Sequence, residues 1–224
     1  ADAAALARIA NRPARGIGKG TRAALMMPSC TDFIVVQQAL FALGAVVSPL
    51  NSQYRPGEVA HAIASCDLEY LIAPREFADR IPEGFKGAIF RDGSDPPGTI
   101  PCELAEVAPD DVAMLLHTSA TTGKSKGVML TAANLAANYD RTPGWLGLSG
   151  EDTILCALPL YNTFGLNQCI NAMALTGLTL VLHARFEAGS CIADIVRHRC
   201  TYLPAVPTML QKLVDHPGLK PGDL

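Results

Sequence analysis

The sequence predicts an α/β fold in which mostly parallel sheets are flanked by helices. Short apolar runs typical of strands alternate with segments of helical apolar spacing in the first and last parts of the chain. Hydrophobic residues make up 49% of the 224 residues, which is enough for a buried globular core. No internal repeat and no low-complexity tract interrupts this pattern, so the sequence excludes a repeat architecture.

The first part of the chain predicts strands that are joined by crossover helices. Helical spacing over residues 1–15 ends near Gly16. The elements predicted after it are strand 22–27, helix 31–43, strand 45–49, helix 56–65 and strand 69–73. Strands that alternate with helices in this way pair in parallel.

Residues 74–109 break the pattern because they are rich in proline, glycine and aspartate, as in DGSDPPG. Only residues 88–90 resemble a strand, so we predict a surface excursion here. The regular pattern then resumes. It predicts strands 112–118, 126–130, 153–158, 178–182 and 201–203, and helices 132–139, 164–175, 190–199 and 208–215.

The long uncharged run over residues 153–184 raises the question of a membrane span. Pro159, Asn162, Gly165 and Gly177 interrupt this run, together with further amides. Such residues suit strand, loop and helix in a protein core better than one lipid-facing helix. We therefore predict no membrane span.

Composition excludes several other function classes. The net charge is −3 and both signs are scattered along the chain, which disfavours nucleic acid and anionic lipid as partners. The seven cysteines contain no CxxC pair and the five histidines form no HExxH motif, so no metal site made of protein ligands is predicted. The scattered charge thus favours a small-molecule substrate. Dispersed thiols and the lack of a secretion-type leader pattern predict a cytoplasmic location.

Residues 117–127, HTSATTGKSKG, carry the strongest chemical signal. Small residues let a backbone approach an anion closely, hydroxyl groups donate hydrogen bonds, and two lysines supply positive charge. These properties suit a triphosphate. From composition alone, a flexible polar hairpin tip is an equally good interpretation.

The end of this segment, Gly123-Lys124-Ser125, imitates the phosphate loop GxxxxGK[ST] of P-loop NTPases. The match fails because Thr118 stands where that motif needs its first glycine. A β-like run over residues 128–130 also replaces the helix that should follow. The sequence therefore predicts an exposed loop between two neighbouring strands, and a P-loop NTPase is the weaker alternative.

HTSATTGKSKGVMLT resembles the Thr-Ser-Gly-Thr-Thr-Gly-x-Pro-Lys-Gly-Val signature of the adenylate-forming, or AMP-binding, superfamily. That superfamily includes acyl-CoA synthetases, 4-coumarate-CoA ligases, luciferases and peptide-synthetase adenylation domains. Four further blocks resemble the family in its order and spacing: GIGKGTRAALMMPSCTDF, ALFALGAVVSPLNSQYRPGEVAHAI, LPLYNTFGL and TYLPAVPTMLQKL.

The resemblance implies that residues 1–224 are part of the large N-terminal domain of such an enzyme. It implies a first α/β portion over residues 1–109 and a portion with the phosphate loop and acyl pocket over 110–224. We expect an incomplete fragment that lacks the C-terminal domain and does not complete CoA ligation alone. The oligomeric state is left open.

The resemblance also implies an acyl- or aryl-CoA synthetase that uses ATP, Mg²⁺ and coenzyme A and passes through an acyl-adenylate. Asn51 and the pair Tyr161-Asn162 differ from the aspartates that peptide-synthetase domains usually carry, so a carboxylic acid without an α-ammonium group is favoured. The Thr121-Thr122 pair also favours the CoA ligases.

Specific residues follow from motif position. Those implied around the ATP phosphates are Thr118, Ser119, Ala120, Thr121, Thr122, Gly123 and Lys126. Those implied in the acyl pocket are Tyr161, Asn162, Phe164, Gly165, Asn167 and Gln168. Arg185 stands where related ligases carry a basic residue near the CoA phosphates. Mg²⁺ would be held through ATP, with Thr121 as a candidate ligand. For Phe164, the start of a core helix is an equally good interpretation.

Three residues depart from the family pattern. Ala120 replaces the usual glycine, Ser125 the usual proline and Asn162 the usual histidine. They motivate a second hypothesis of another class, a catalytically degraded module that binds a nucleotide or an acyl group. ATP–pyrophosphate exchange separates the two hypotheses, because a binding module catalyses none.

Overall fold

The computed structural model describes residues 16–91, 104–118 and 125–224. The chain divides into two compact units, one comprising Ala1–Met27 and Thr31–Leu135, the other Pro28–Cys30 and Ala136–Leu224. The helix predicted over residues 1–15 lies outside the described residues. The family-based division at residue 109 stays a prediction, since the compact units follow contacts in the chain rather than family portions.

The first unit contains a six-stranded sheet in the order β4-β3-β1-β2-β5-β6. Its strands are β1 Arg22–Leu25, β2 Val46–Pro49, β3 Tyr70–Pro74, β4 Ala88–Arg91, β5 Val112–His117 and β6 Gly127–Thr131. Strands β1 to β5 pair in parallel, whereas β6 runs antiparallel to β5. This arrangement confirms the mostly parallel α/β class.

Two helices connect the central strands as the sequence predicted. Helix α1, Thr31–Ala42, joins β1 to β2, and helix α2, Pro56–Cys66, joins β2 to β3. Pro56 opens α2, where its missing N–H costs nothing, and Glu58 accepts a hydrogen bond from the Arg55 N–H at 2.8 Å. Asp67 ends this helix in the left-handed conformation, with φ of 48°.

The excursion predicted over residues 74–109 is only partly at the surface. A 3-10 helix, Arg75–Arg80, follows β3 directly and buries Phe77, which is 7% exposed. Ile81 and Phe85 pack against the same core as Phe77. The sequence did not predict the burial of these apolar residues, because they do not recur with a regular period.

The second unit contains two parallel strands, β7 Thr153–Cys156 and β8 Thr179–Leu182. Its helices are the end of α3 Ala132–Leu146, then α4 Thr163–Gly165, α5 Ala172–Thr176, α6 Ala188–His198 and α7 Pro207–Val214. The strand predicted over residues 201–203 is a single parallel bridge between Tyr202 and Ile154. Helix α3 also extends beyond the predicted residue 139 and includes Pro143.

The described parts of the chain contain no helix that is both long and apolar enough for a membrane span. Within those same parts no cysteine forms a disulfide, and Cys66, Cys156, Cys169 and Cys191 are buried.

Candidate functional site

The glycine- and hydroxyl-rich loop follows the carboxyl end of β5. This strand pairs in parallel with β2, so its carboxyl end lies at the same sheet edge as those of β1, β2 and β3. In open α/β sheets this edge is where ligands bind. The chain returns along β6, with His117 opposite Gly127.

Hydrogen bonds close the stem of this loop. The Thr118 N–H donates to the Lys126 carbonyl at 3.0 Å, and the Lys126 N–H donates to the Thr118 hydroxyl at 3.3 Å. The Ser125 hydroxyl donates to the Thr118 carbonyl at 2.7 Å. Ser125 therefore supplies a hydrogen bond where the family signature has a proline, and this bond restrains the loop ends.

The strand β6 that begins at Gly127 excludes the P-loop interpretation, which required a helix from Ser125. Of the predicted phosphate-binding residues, Thr118 and Lys126 lie opposite each other at the stem, and Lys126 is exposed. The others, Ser119, Ala120, Thr121, Thr122 and Gly123, lie outside the described residues.

Two histidines lie beneath the stem. The His117 Nε2 atom is 2.9 Å from the hydroxyl of Ser48, a fully buried residue on β2. The His61 Nε2 atom, from α2, is 3.0 Å from the Ser125 carbonyl oxygen. Burial, and then the electrostatic influence of nearby His61, lower the pKa of His117 below its ordinary value.

In the second unit, the motif LPLYNTFGL leaves the end of β7 through a tight turn. The buried Ser29 hydroxyl fixes this turn, since it donates to the Leu158 carbonyl at 3.3 Å and accepts from the Leu160 N–H at 3.1 Å. Gly165 packs on the turn so closely that a Cβ atom there would lie 2.4 Å from the Pro159 carbonyl oxygen.

The helix predicted over residues 164–175 contains a π-helical stretch, Leu166–Asn171, between α4 and α5. Such wide turns recur at functional sites. Here the Asn171 amide donates to the Asn167 side-chain oxygen at 2.8 Å, and the Tyr202 hydroxyl donates to the Gln168 side-chain oxygen at 2.8 Å. These bonds set the orientation of both predicted pocket amides.

The remaining predicted pocket residues lie at the start of this helix. Asn162 is exposed, Tyr161 is half-buried and Phe164 is 40% exposed, so Phe164 is not a core residue of the described structure. Arg185 is exposed in the loop between β8 and α6. The role of each in binding stays a prediction.

The residues that sequence reasoning missed are those that support the motifs. Ser48, His61, Ser29 and Tyr202 come from distant segments, and no local pattern distinguishes them from ordinary polar residues. Across the described ranges, no group of three or more histidine, cysteine, aspartate or glutamate side chains is placed to hold a metal ion.

Comparison with known proteins gives a consistent assignment. The AMP-binding enzyme family matches residues 3–224. A feruloyl-CoA synthase from Amycolatopsis is 31% identical over 98% of this chain and 45% of its own length. A 2-succinylbenzoate–CoA ligase from Bacillus licheniformis is 30% identical over 93% of this chain and 44% of its own length. The chain thus spans less than half the length of these relatives.

Two solved structures have the same fold. O-succinylbenzoate coenzyme A synthetase from Bacillus subtilis, in complex with ATP and magnesium, has a TM-score of 0.85 and 28% identity, covering 99% of this chain and 60% of its own. A long-chain-fatty-acid-CoA ligase from Archaeoglobus fulgidus has a TM-score of 0.85 and 27% identity, covering 94% and 44%. Because the family match covers nearly the whole chain and includes the loop and the LPLYNTFGL motif, the chain belongs to the AMP-binding enzyme family.

Proposed function

We propose that this chain is the ATP- and acid-handling part of an AMP-forming carboxylate–CoA ligase. The observation that carries the proposal is the loop stem at the carboxyl edge of the parallel sheet, with Lys126 exposed at its return end. CoA ligases among the relatives, including enzymes named for feruloyl-CoA and 2-succinylbenzoate, support this chemistry.

In the proposed reaction, a carboxylate oxygen of the acid attacks the α-phosphorus of ATP. The bond between the α-phosphorus and the bridging oxygen breaks, and pyrophosphate leaves with the bonding pair. A CoA thiol then loses its proton to solvent, its sulfur attacks the acyl carbon, and AMP leaves. Negative charge grows on phosphate oxygens in the first step, and donors fixed beforehand lower that barrier.

We assign Lys126 and Thr118 to the β- and γ-phosphates of ATP, together with Ser119, Ala120, Thr121, Thr122 and Gly123. Threonine hydroxyls are also oxygen ligands of the kind that Mg²⁺ prefers, with Thr121 as the candidate. Bound Mg²⁺ would neutralise phosphate charge. The stem bonds of Thr118 and Ser125 hold the loop ends, so less conformational entropy is lost on binding.

We assign the acid to Tyr161, Asn162, Phe164, Gly165, Asn167 and Gln168. The side-chain oxygens of Asn167 and Gln168 each accept a hydrogen bond within the protein. The amide N–H groups are therefore the donors that these side chains can offer to a substrate. Donors of this kind suit a carboxylate or carbonyl on the acid, while the exposed Phe164 ring offers an apolar surface. Arg185 would contact CoA phosphates, and the enzyme would be cytoplasmic.

The test is ATP–pyrophosphate exchange by the full-length protein over short, long and aromatic acids. With the acid that supports exchange, Lys126→Ala should lower the exchange rate about a hundredfold or more while the KM for the acid changes little, because the phosphate contact strengthens as charge develops. Lys212→Ala, which removes an exposed lysine on α7, is the matched control. An exchange rate that Lys126→Ala leaves unchanged would remove this lysine from the mechanism.

A second candidate is a module that binds a nucleotide or acyl group without catalysis. Ala120, Ser125 and Asn162 favour it, since each departs from the family signature. Exchange that is absent with every acid, together with measurable ATP binding by calorimetry, would establish this second function and reject the ligase.

A further inference from the structure

Helix α2 contacts both residues that flank Lys126. On one side, the His61 Nε2 atom lies 3.0 Å from the Ser125 carbonyl oxygen. On the other side, a Cβ atom on Gly127 would lie 2.5 Å from the Cys66 sulfur and within 4 Å of no other side chain or distant backbone. Helix α2 therefore contacts the chain on both sides of Lys126.

The spacing of the two contacts matches the geometry of the two elements. His61 and Cys66 are five residues apart, a helical rise of about 7.5 Å at ~1.5 Å per residue. Ser125 and Gly127 are two residues apart on an extended chain, about 6.6 Å at ~3.3 Å per residue. The two contacts are therefore spaced similarly along the helix axis and along the chain that passes Lys126.

The donor and the acceptor of the His61 hydrogen bond can be assigned. A carbonyl oxygen only accepts hydrogen bonds, so the Nε2 atom of His61 carries the hydrogen and donates it. The second contact is steric, because Cys66 is 5% exposed and its sulfur fills the space beside Gly127. One contact fixes the orientation of the peptide before Lys126, and the other fixes the distance between helix and strand after it.

We propose that α2 braces Lys126, with His61 and Cys66 as positioning residues that aim its ammonium group at the ATP phosphates. This inference rests on the proposed function of the loop. Neither residue touches substrate in this proposal. Both act on Lys126 through the residues that flank it, Ser125 and Gly127, and that dependence is what the experiment measures.

The first experiment uses His61 in the full-length protein. His61→Ala should lower the ATP–pyrophosphate exchange rate about twofold to tenfold, the range expected for one hydrogen bond, without raising the KM for the acid. His61→Gln retains a side-chain N–H donor and should restore most of the rate. Gly57→Ala is the control on the same helix, because a Cβ atom there meets nothing within 4 Å.

A double-mutant cycle then separates a brace from a general structural role. If His61 acts through Lys126, His61→Ala should have no further effect in a Lys126→Ala background. Equal effects in both backgrounds would overturn the proposal. Hydrogen exchange at the Thr118 and Lys126 amides gives a readout without substrate, and His61→Ala should accelerate it.

The steric contact has its own cycle. Gly127→Ala should lower the ATP–pyrophosphate exchange rate because the added Cβ meets the Cys66 sulfur. Combining it with Cys66→Ala should restore the rate, because that substitution removes the sulfur. Failure of this rescue would overturn the steric half of the brace. Faster amide exchange in His61→Ala, with no ATP–pyrophosphate exchange in any variant, would leave the brace standing and reject the proposed function instead.

Discussion

Gly165 lies against the Pro159 carbonyl so closely that a side chain cannot fit between them. A Cβ atom there would be 2.4 Å from the carbonyl oxygen and 3.1 Å from the carbonyl carbon. These are backbone atoms, which cannot rotate away as the end of a side chain can. The Ser29 hydroxyl also restrains this turn, through the neighbouring residues Leu158 and Leu160.

We therefore predict that Gly165→Ala lowers the free energy of unfolding by about 1–3 kcal/mol, the range for overpacked sites. Urea denaturation followed by circular dichroism measures it. Gly144→Ala, within α3, is the matched control because a Cβ there meets nothing within 4 Å. That control should be neutral or gain up to about 1 kcal/mol from lower chain entropy. Equal stability of the two variants would contradict the close approach.

Helix α6 shows how one residue stabilises an element through the backbone. Glu187 caps this helix, since its carboxylate accepts hydrogen bonds from the Ser190 N–H at 2.6 Å and the Gly189 N–H at 3.0 Å. These bonds lower the pKa of Glu187 from 4.5 to about 2. The helix in turn packs against α7 and β7.

We predict that Glu187→Gln lowers the thermal midpoint of the protein above pH 4.5, where the ionised carboxylate contributes fully. The difference between wild type and variant should shrink as pH falls from about 4.5 towards 2, because the folded carboxylate then becomes protonated too. Thermal melts between pH 2 and 7 measure it at roughly one-unit steps. Glu151→Gln, at an exposed turn, is the control, and an equal pH dependence in it would contradict the capping role.

Helices and strands also differ in how closely their limits could be predicted from the sequence. Helix α2 follows its predicted limits to within one residue because apolar period, opening proline and turn residues agree there, whereas strand β1 ends at Leu25, two residues before its predicted end. The π-helical stretch was not predicted, since its residues have the composition and spacing of an ordinary helix. Its hydrogen bonds from Tyr202 and Asn171 involve side chains whose positions depend on tertiary packing.

At the scale of the whole molecule, charge argues against a nucleic-acid partner. Lysine and arginine number 18 against 21 aspartate and glutamate residues, and the signs are interspersed. Because basic and acidic residues are interspersed along the sequence, few counterions would be released from a phosphate backbone. We predict no detectable binding to duplex DNA at physiological ionic strength by fluorescence anisotropy. Binding that weakens steeply with added salt would contradict this.

The α/β class, the loop between two strands, and the residue types that we propose for binding ATP and the acid were all predicted from the amino-acid sequence. These features are local, because period, turn chemistry and motif spacing act within a few residues along the chain. The sequence also predicted a strand close to residues 127–131, and the presence of this strand excludes a P-loop NTPase.

Which distant residues support these motifs depends on tertiary packing. His61 and Ser125 are 64 positions apart, Gln168 and Tyr202 are 34 apart, and Ser29 and Leu160 are 131 apart. Such contacts arise when strands and helices pack, and a histidine, tyrosine or serine carries no local signal of its eventual partner. The sequence thus specified the chemical groups, whereas packing specified how they are held.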